Sequence, residues 1–133
     1  MICKTEIYHN ALKERNKDQL YKCTKENYPE ILEDLVITGS HCILINNFKN
    51  KKQLKDTLKI HGMIFITENK YRLPVCVDDR SEVYEKKGLY TIYHLTLDND
   101  NDYLNYGIYA NGLLVETCSK IQLKEFSNMT LIE

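Results

Sequence analysis

The pair Asn111-Gly112 constrains this chain of 133 residues more tightly than any other feature of it. Both residue types accept positive φ, which the two central positions of a type I′ turn require, and alternating apolar runs flank them. The pair therefore predicts a hairpin between residues 106–109 and 113–116 and fixes which residues face one another across it. A second fixed stretch is Asp34-Leu35-Val36-Ile37-Thr38-Gly39-Ser40-His41-Cys42-Ile43-Leu44-Ile45. Two apolar, β-branched runs meet there at a corner holding a hydroxyl, a glycine, an imidazole and a thiol, the make-up of a candidate active centre. Residues three apart in a strand point to opposite faces, so Thr38 and His41 serve one site only if the chain bends between them. Gly39 permits that bend.

Other strand patterns recur along the chain. Residues 20–24 alternate, 63–67 and 71–77 read as a hairpin through Glu68-Asn69-Lys70, and 89–97 reads as one long strand. Pro74 places the second strand of that hairpin at an edge or a bulge. Helix signals are sparse. Residues 9–18 are a short helix candidate with only Ala11 and Leu12 to dock it, and Pro29 followed by acids predicts one turn within 28–33. After a basic, turn-rich loop at 46–53, the spacing of Leu54 and Leu58 predicts two helical turns within 53–60, with a β-ribbon as the alternative. The runs Asp78-Asp79-Arg80-Ser81-Glu82 and Asp98-Asn99-Asp100-Asn101-Asp102 read as turns, since the second lacks the glycine and closing glutamate of a calcium loop. Ten tyrosines, three phenylalanines and no tryptophan suit half-buried strands, so the expected architecture is one mostly β domain over 1–133 with one or two short helices.

Eighteen Lys and Arg against nineteen Asp and Glu leave a formal charge of -1, which gives no electrostatic footprint for nucleic acid or a membrane. The apolar runs fall short of a membrane span, and the first residues are not a signal peptide. Cys3, Cys23, Cys42, Cys76 and Cys118 contain no Cys-x-x-Cys pair, so neither a zinc knuckle nor a redox motif is written. Reduced thiols in a cytoplasmic compartment, with no cofactor and no metal, are the expectation.

Thr38-Gly39-Ser40-His41 between two strands resembles the second conserved block of the Hint family, the self-cleaving module shared by hedgehog proteins and inteins. Residues 106–118, Tyr106 through the Asn111-Gly112 turn to Cys118, are similar to the closing hairpin of a Hint domain, and Tyr93-His94-Leu95 is similar to the Tyr-Asp-Leu strand that precedes it. All three stand in the family's order, cover about residues 20–118 and are similar above all to Hint domains encoded by large DNA viruses.

The resemblance implies an incomplete version of the family's horseshoe of strands and a specific chemistry. In the family a cysteine thiolate attacks the carbonyl before it and converts a resonance-stabilised amide into a thioester. His41 would protonate the departing nitrogen, with a reference pKa near ~6.5 and a typical contribution of ~10²- to 10⁴-fold. Thr38 would hold the carbonyl or the nitrogen. His94 stands where the family often has an aspartate and would tune the same centre, and Cys118 stands where an intein carries its downstream nucleophile. The ordinary alternatives are a satisfied core histidine for His41 and a small half-buried hydrophobe for Cys118.

Two departures narrow the expectation. Neither Cys3 nor Cys23 lies in the family's initiating block, so the nucleophilic head and first strands are expected outside this chain. Glu116 and Thr117 occupy the places of the terminal His-Asn of inteins, and threonine has no amide with which to cyclise, so only amino-end cleavage is implied. The apolar tail 119–133 is expected to pack back across the sheet. The leading expectation is a Hint-type autoprocessing module that performs an N–S acyl shift at its amino-terminal junction, silent alone and without turnover on external substrates. Its partner would be its own upstream polypeptide or a split amino-terminal fragment. The alternative is a degenerate remnant serving as a structural or interaction domain through an open strand edge. A zinc site from His41, Cys42, His94 and Cys118 would be incidental.

Overall fold

The computed structural model describes residues 2–96 and 105–117, together with the backbone of Thr130–Leu131. Its strands are β1 (Ile2–His9), β2 (Leu20–Cys23), β3 (Leu35–Thr38), β4 (Cys42–Ile45), β5 (Ile66–Thr67), β6 (Lys70–Pro74), β7 (Glu82–Val83), β8 (Gly88–Leu95), β9 (Gly107–Ala110), β10 (Leu113–Glu116) and β11 (Thr130–Leu131). The helix α1 (Lys51–His61) follows β4. They form three antiparallel sheets in the orders β11-β1-β8, β5-β6-β4-β10-β9 and β3-β2-β7. The fold is mostly β, as expected.

The expected hairpin is present, with Leu113 opposite Ala110 and Val115 opposite Ile108. Asn111 has φ 50° and Gly112 φ 94°, as a type I′ turn demands. Gly112 is also fixed by space, because a Cβ there would stand 2.5 Å from the Glu30 carbonyl oxygen. Leu32 N–H donates to the Asn111 carbonyl at 2.8 Å, so the turn is clasped by residues 30–34. Glu68 and Asn69, with φ 50° and 63°, make the equivalent corner between β5 and β6.

At the central corner, β3 belongs to one sheet and β4 to another, and His41 N–H donates to the Thr38 carbonyl at 3.1 Å to close the turn. Gly39 serves here by its lack of a side chain, not by positive φ. A Cβ would meet the Asn16 carbonyl oxygen at 2.7 Å, the Tyr21 ring at 2.7 Å and Cys76 Cβ at 3.0 Å. The core fills the space between the five-stranded sheet and the β3-β2-β7 sheet, with Tyr21, Cys23, Tyr28, Ile43, Val75, Leu113 and Val115 at its centre.

Three expectations are corrected. Residues 9–18 form no helix: His9 ends β1, and the segment after it has its backbone satisfied by side chains. Gln19 Nε2 donates to the Glu14 carbonyl at 2.9 Å and its Oε1 accepts from Leu12 N–H, while the Tyr21 hydroxyl accepts from Asn16 N–H and donates to the Asn16 carbonyl. The helix begins at Lys51, not Gln53, because Asn50 caps it by accepting from Gln53 N–H at 2.9 Å, and its buried stripe is Gln53 and Thr57 whereas Leu58 is exposed. Pro74 does not put its strand at the edge of the sheet: β6 is flanked by β5 and β4, and only at Pro74 itself, beyond the end of the two-residue β5, is one side open, so no partner there needs its missing N–H. The described part of the tail, Thr130–Leu131, pairs with β1 at Lys4 and Cys3; the rest of the tail, and Asp98 to Asp102, lie outside the described residues.

Packing and dihedral constraints at the glycines separate cleanly. Gly39→Ala is expected to cost about 2–3 kcal/mol through overpacking. Gly62, at φ 77° with open space where a Cβ would stand, should cost only about 1 kcal/mol as alanine. Urea midpoints of the two variants check this, and equal losses would refute the packing account of Gly39.

Candidate functional site

The strand that ends the hairpin delivers its last residues to the 38–41 corner. Val115 pairs with Ile43, which sets β10 against β4, and the His41 ring reaches across so that Nε2 lies 2.9 Å from the Glu116 carbonyl oxygen. A carbonyl only accepts, so the Nε2 proton donates to it and Nδ1 is the basic nitrogen. Burial pulls His41 below the usual histidine range, the hydrogen bond to Glu116 opposes this, and the neighbouring His94 pulls it lower still. His94 itself, on β8, is lowered by burial.

The register of β1 on β8 places Cys3 opposite His94 and Ile2 opposite Leu95. Sequence reasoning set Cys3 aside on spacing and did not anticipate this neighbour. Thr38 contributes its main-chain carbonyl to the turn, and its hydroxyl makes no hydrogen bond among the described residues. Cys118 lies outside the described residues. Of the four residues singled out, the structure thus joins Thr38 to His41 by the turn and His41 to His94 by electrostatics.

Cys42 turns away from His41. Its Sγ is buried 3.7 Å from His61 Nε2, and burial, with the Glu116 carboxylate next in weight, holds its thiol well above the usual range. That orientation removes Cys42 from the zinc set considered above, and no cluster of three or more His, Cys, Asp or Glu suited to a metal occurs among the described residues. Burial also pushes Cys23 and Cys76 up to about 11. These thiols are packed as hydrophobes and are poor nucleophiles.

Two partners of the centre were not foreseen. Glu116 offers its carbonyl to His41 and its carboxylate to Arg72, whose Nε is 3.0 Å away. Burial raises the Glu116 carboxyl while Arg72 restrains it. Thr117, next along, is held at every polar atom: its N–H donates to the Tyr106 carbonyl at 2.7 Å, its Oγ1 accepts from Tyr106 N–H, and its carbonyl accepts from Asn105 Nδ2 at 2.7 Å. A main-chain carbonyl has no signature in a sequence. Opposite charges inside the apolar strands β6 and β10 were the available signal for Arg72 and Glu116.

His41, His61 and His94 are all held below the histidine reference of 6.5 in the folded state. The unfolded chain takes up protons there first, so their contribution to stability is present above about pH 6.5 and is lost as pH falls below it. Glu116, with its raised pKa, acts in the opposite sense. His41→Gln should flatten the decline by up to about 1.4 kcal/mol per pH unit, the value of one proton. Urea unfolding between pH 7.5 and 5.5 measures both slopes, and identical slopes would remove His41 from this account.

The chain matches no family model, no curated protein and no solved structure.

Proposed function

We propose that this chain is the carboxyl-terminal portion of a Hint-type autoprocessing module acting on the peptide bond at its own amino-terminal junction. The supporting observation is the His41 ring, with Nε2 on the Glu116 carbonyl and under the electrostatic influence of His94, which the strand register places opposite Cys3 near the start of β1. His41 is neutral at neutral pH, with Nε2–H fixed on a carbonyl and Nδ1 as its basic atom. Nδ1 takes the proton of an attacking thiol; the thiolate forms a C–S bond to the carbonyl before it; the C–N bond breaks and the departing nitrogen receives that same proton. Cys3, Cys23, Cys42 and Cys76 are all buried, so in this reading the thiol comes from a segment supplied upstream or as a separate fragment. A reducing compartment such as the cytoplasm suits that thiol.

A second reading, a remnant working as an interaction domain, draws on different features. β8 is the last strand of its sheet, with Leu89 and Tyr93 exposed on it, and β9 ends the five-stranded sheet with Tyr109 exposed. Neither reading involves a membrane, and among the described residues no helix is long and apolar enough to cross one.

The chain extended through its upstream coding sequence is expected to release its amino-terminal part on treatment with hydroxylamine, as read by intact mass. His41→Ala should lose at least 10²-fold in rate with an unchanged fold, and Cys3→Ala should retain it. Absence of release from the extended wild type, with the fold intact, rejects autoprocessing and leaves the interaction domain.

A further inference from the structure

The hairpin β9–β10 is pinned at its closed end by Asn111-Gly112, but its open end, where Asn105 enters and Thr117 leaves, carries the two carbonyls of the candidate site. One side chain bridges both arms there. Arg72 of β6 has Nε 3.0 Å from Glu116 Oε2 on the departing arm, and its Nη2 donates to Asn105 Oδ1 at 3.2 Å on the entering arm. The single Nε proton is donated to Thr67 Oγ1 at 2.7 Å, so Glu116 Oε2 is held by charge without a hydrogen bond; the main-chain N–H of Arg72 donates to the Phe65 carbonyl at 3.1 Å, and the guanidinium lies 5.2 Å from the Phe65 ring centre. The guanidinium is therefore fixed from behind by β5 and the residues leading into it. Arg72 and Glu116 side chains are 15 % and 17 % exposed, so the pair is shielded from solvent screening.

Each group that Arg72 touches passes the constraint on. Glu116, anchored by its carboxylate, presents its carbonyl to His41 Nε2 at 2.9 Å. Asn105, anchored by its Oδ1, turns its Nδ2 toward the Thr117 carbonyl at 2.7 Å. An Asn whose oxygen faces a guanidinium has its amide orientation decided, because the NH₂ group cannot accept and must face the other way.

We propose that Arg72 is a positioning residue for the His41 centre, and that what it positions is the pair of consecutive carbonyls at the end of β10, Glu116's toward His41 Nε2 and Thr117's toward Asn105 Nδ2. This deepens the autoprocessing reading and rests on it for its purpose, although not for its geometry. The planar fork is what the role needs. A lysine keeps the charge beside Glu116 but has a single ammonium, which cannot meet Glu116, Thr67 and Asn105 in the same fixed geometry.

The test uses this chain as it stands. In ¹⁵N-labelled protein, the His41 Nε2 proton and the Asn105 side-chain amide protons are expected to exchange slowly with water. In Arg72→Lys, with the main-chain amide spectrum otherwise native, both should exchange at least tenfold faster. A purely structural Arg72 would leave them unchanged, and that result overturns the proposal. Should Arg72→Lys lose the native spectrum, Glu116→Gln serves instead, since it keeps shape and an acceptor oxygen while removing the charge that draws the guanidinium. Tenfold faster exchange at His41 in that variant supports the proposal and an unchanged rate rejects it. Neither measurement involves hydroxylamine release, so failure here and failure of the autoprocessing reading are separate results.

Discussion

The corner at residues 38–41 depends on a place where no side chain fits. The two sheets that enclose the core meet there, and the chain passes from one to the other with Gly39 pressed between the Asn16 carbonyl, the Tyr21 ring and Cys76. Gly39 also joins both flanking segments by its backbone: its N–H donates to the Gln19 carbonyl at 2.8 Å, and its carbonyl accepts from Cys76 N–H at 3.0 Å. One step on, the His41 carbonyl accepts from Val75 N–H at 2.9 Å. The imidazole that faces Glu116 therefore sits on a peptide held from two sides. A rigid base of this kind is what fixes a side chain in one rotamer, and so in one geometry toward a reacting group.

The segment that backs this corner is itself irregular and is held by charged side chains. Arg15 donates from Nε to the Cys76 carbonyl at 2.9 Å, from Nη1 to the Ser81 carbonyl at 2.8 Å and from Nη2 to the Asp78 carbonyl at 2.8 Å, with its guanidinium 4.8 Å from the Tyr21 ring centre. The buried Asp78 carboxylate accepts from the Tyr28 hydroxyl and from Arg80, and so closes the same loop from within. His9 works likewise at the other sheet: its Nδ1 accepts from Leu20 N–H at 3.0 Å and its Nε2 is 2.6 Å from the Tyr84 carbonyl, which joins β1 to β2 and to the chain after β7. Hydrogen bonds from charged or aromatic donors to loop carbonyls replace the regular ladder that such short strands cannot supply.

That division explains what the sequence made legible. Turn chemistry is local, so Asn111-Gly112, Glu68-Asn69 and the bend after Thr38 were readable from a few residues, and the strands they join followed. Residues 10–18 were not, because their order comes from Gln19 and Tyr21 satisfying their backbone, a relation without periodicity. β1 was missed because its inward residues, Cys3, Thr5, Ile7 and His9, include only one large aliphatic side chain. The buried face of α1 was misjudged since Gln53 and Thr57 are inward through hydrogen bonds, Gln53 Oε1 accepting from Lys49 N–H and Thr57 Oγ1 donating to the Gln53 carbonyl. In the candidate site, His41 and His94 were named through the family resemblance, while the contacts that Arg72 and Asn105 make with residues distant in sequence required the third dimension.

The electrostatics of the centre also decide what kind of acid–base group His41 is. An exposed histidine would be charged for a sizeable fraction of the time near neutrality and would act as a ready acid. Burial and the neighbouring His94 favour the neutral ring, and the Glu116 carbonyl keeps one proton on Nε2. A neutral ring in a fixed tautomer is first a base, and it becomes an acid only after it has taken up a proton. In the autoprocessing proposed for this chain, attack and leaving-group protonation would both pass through that one nitrogen, Nδ1.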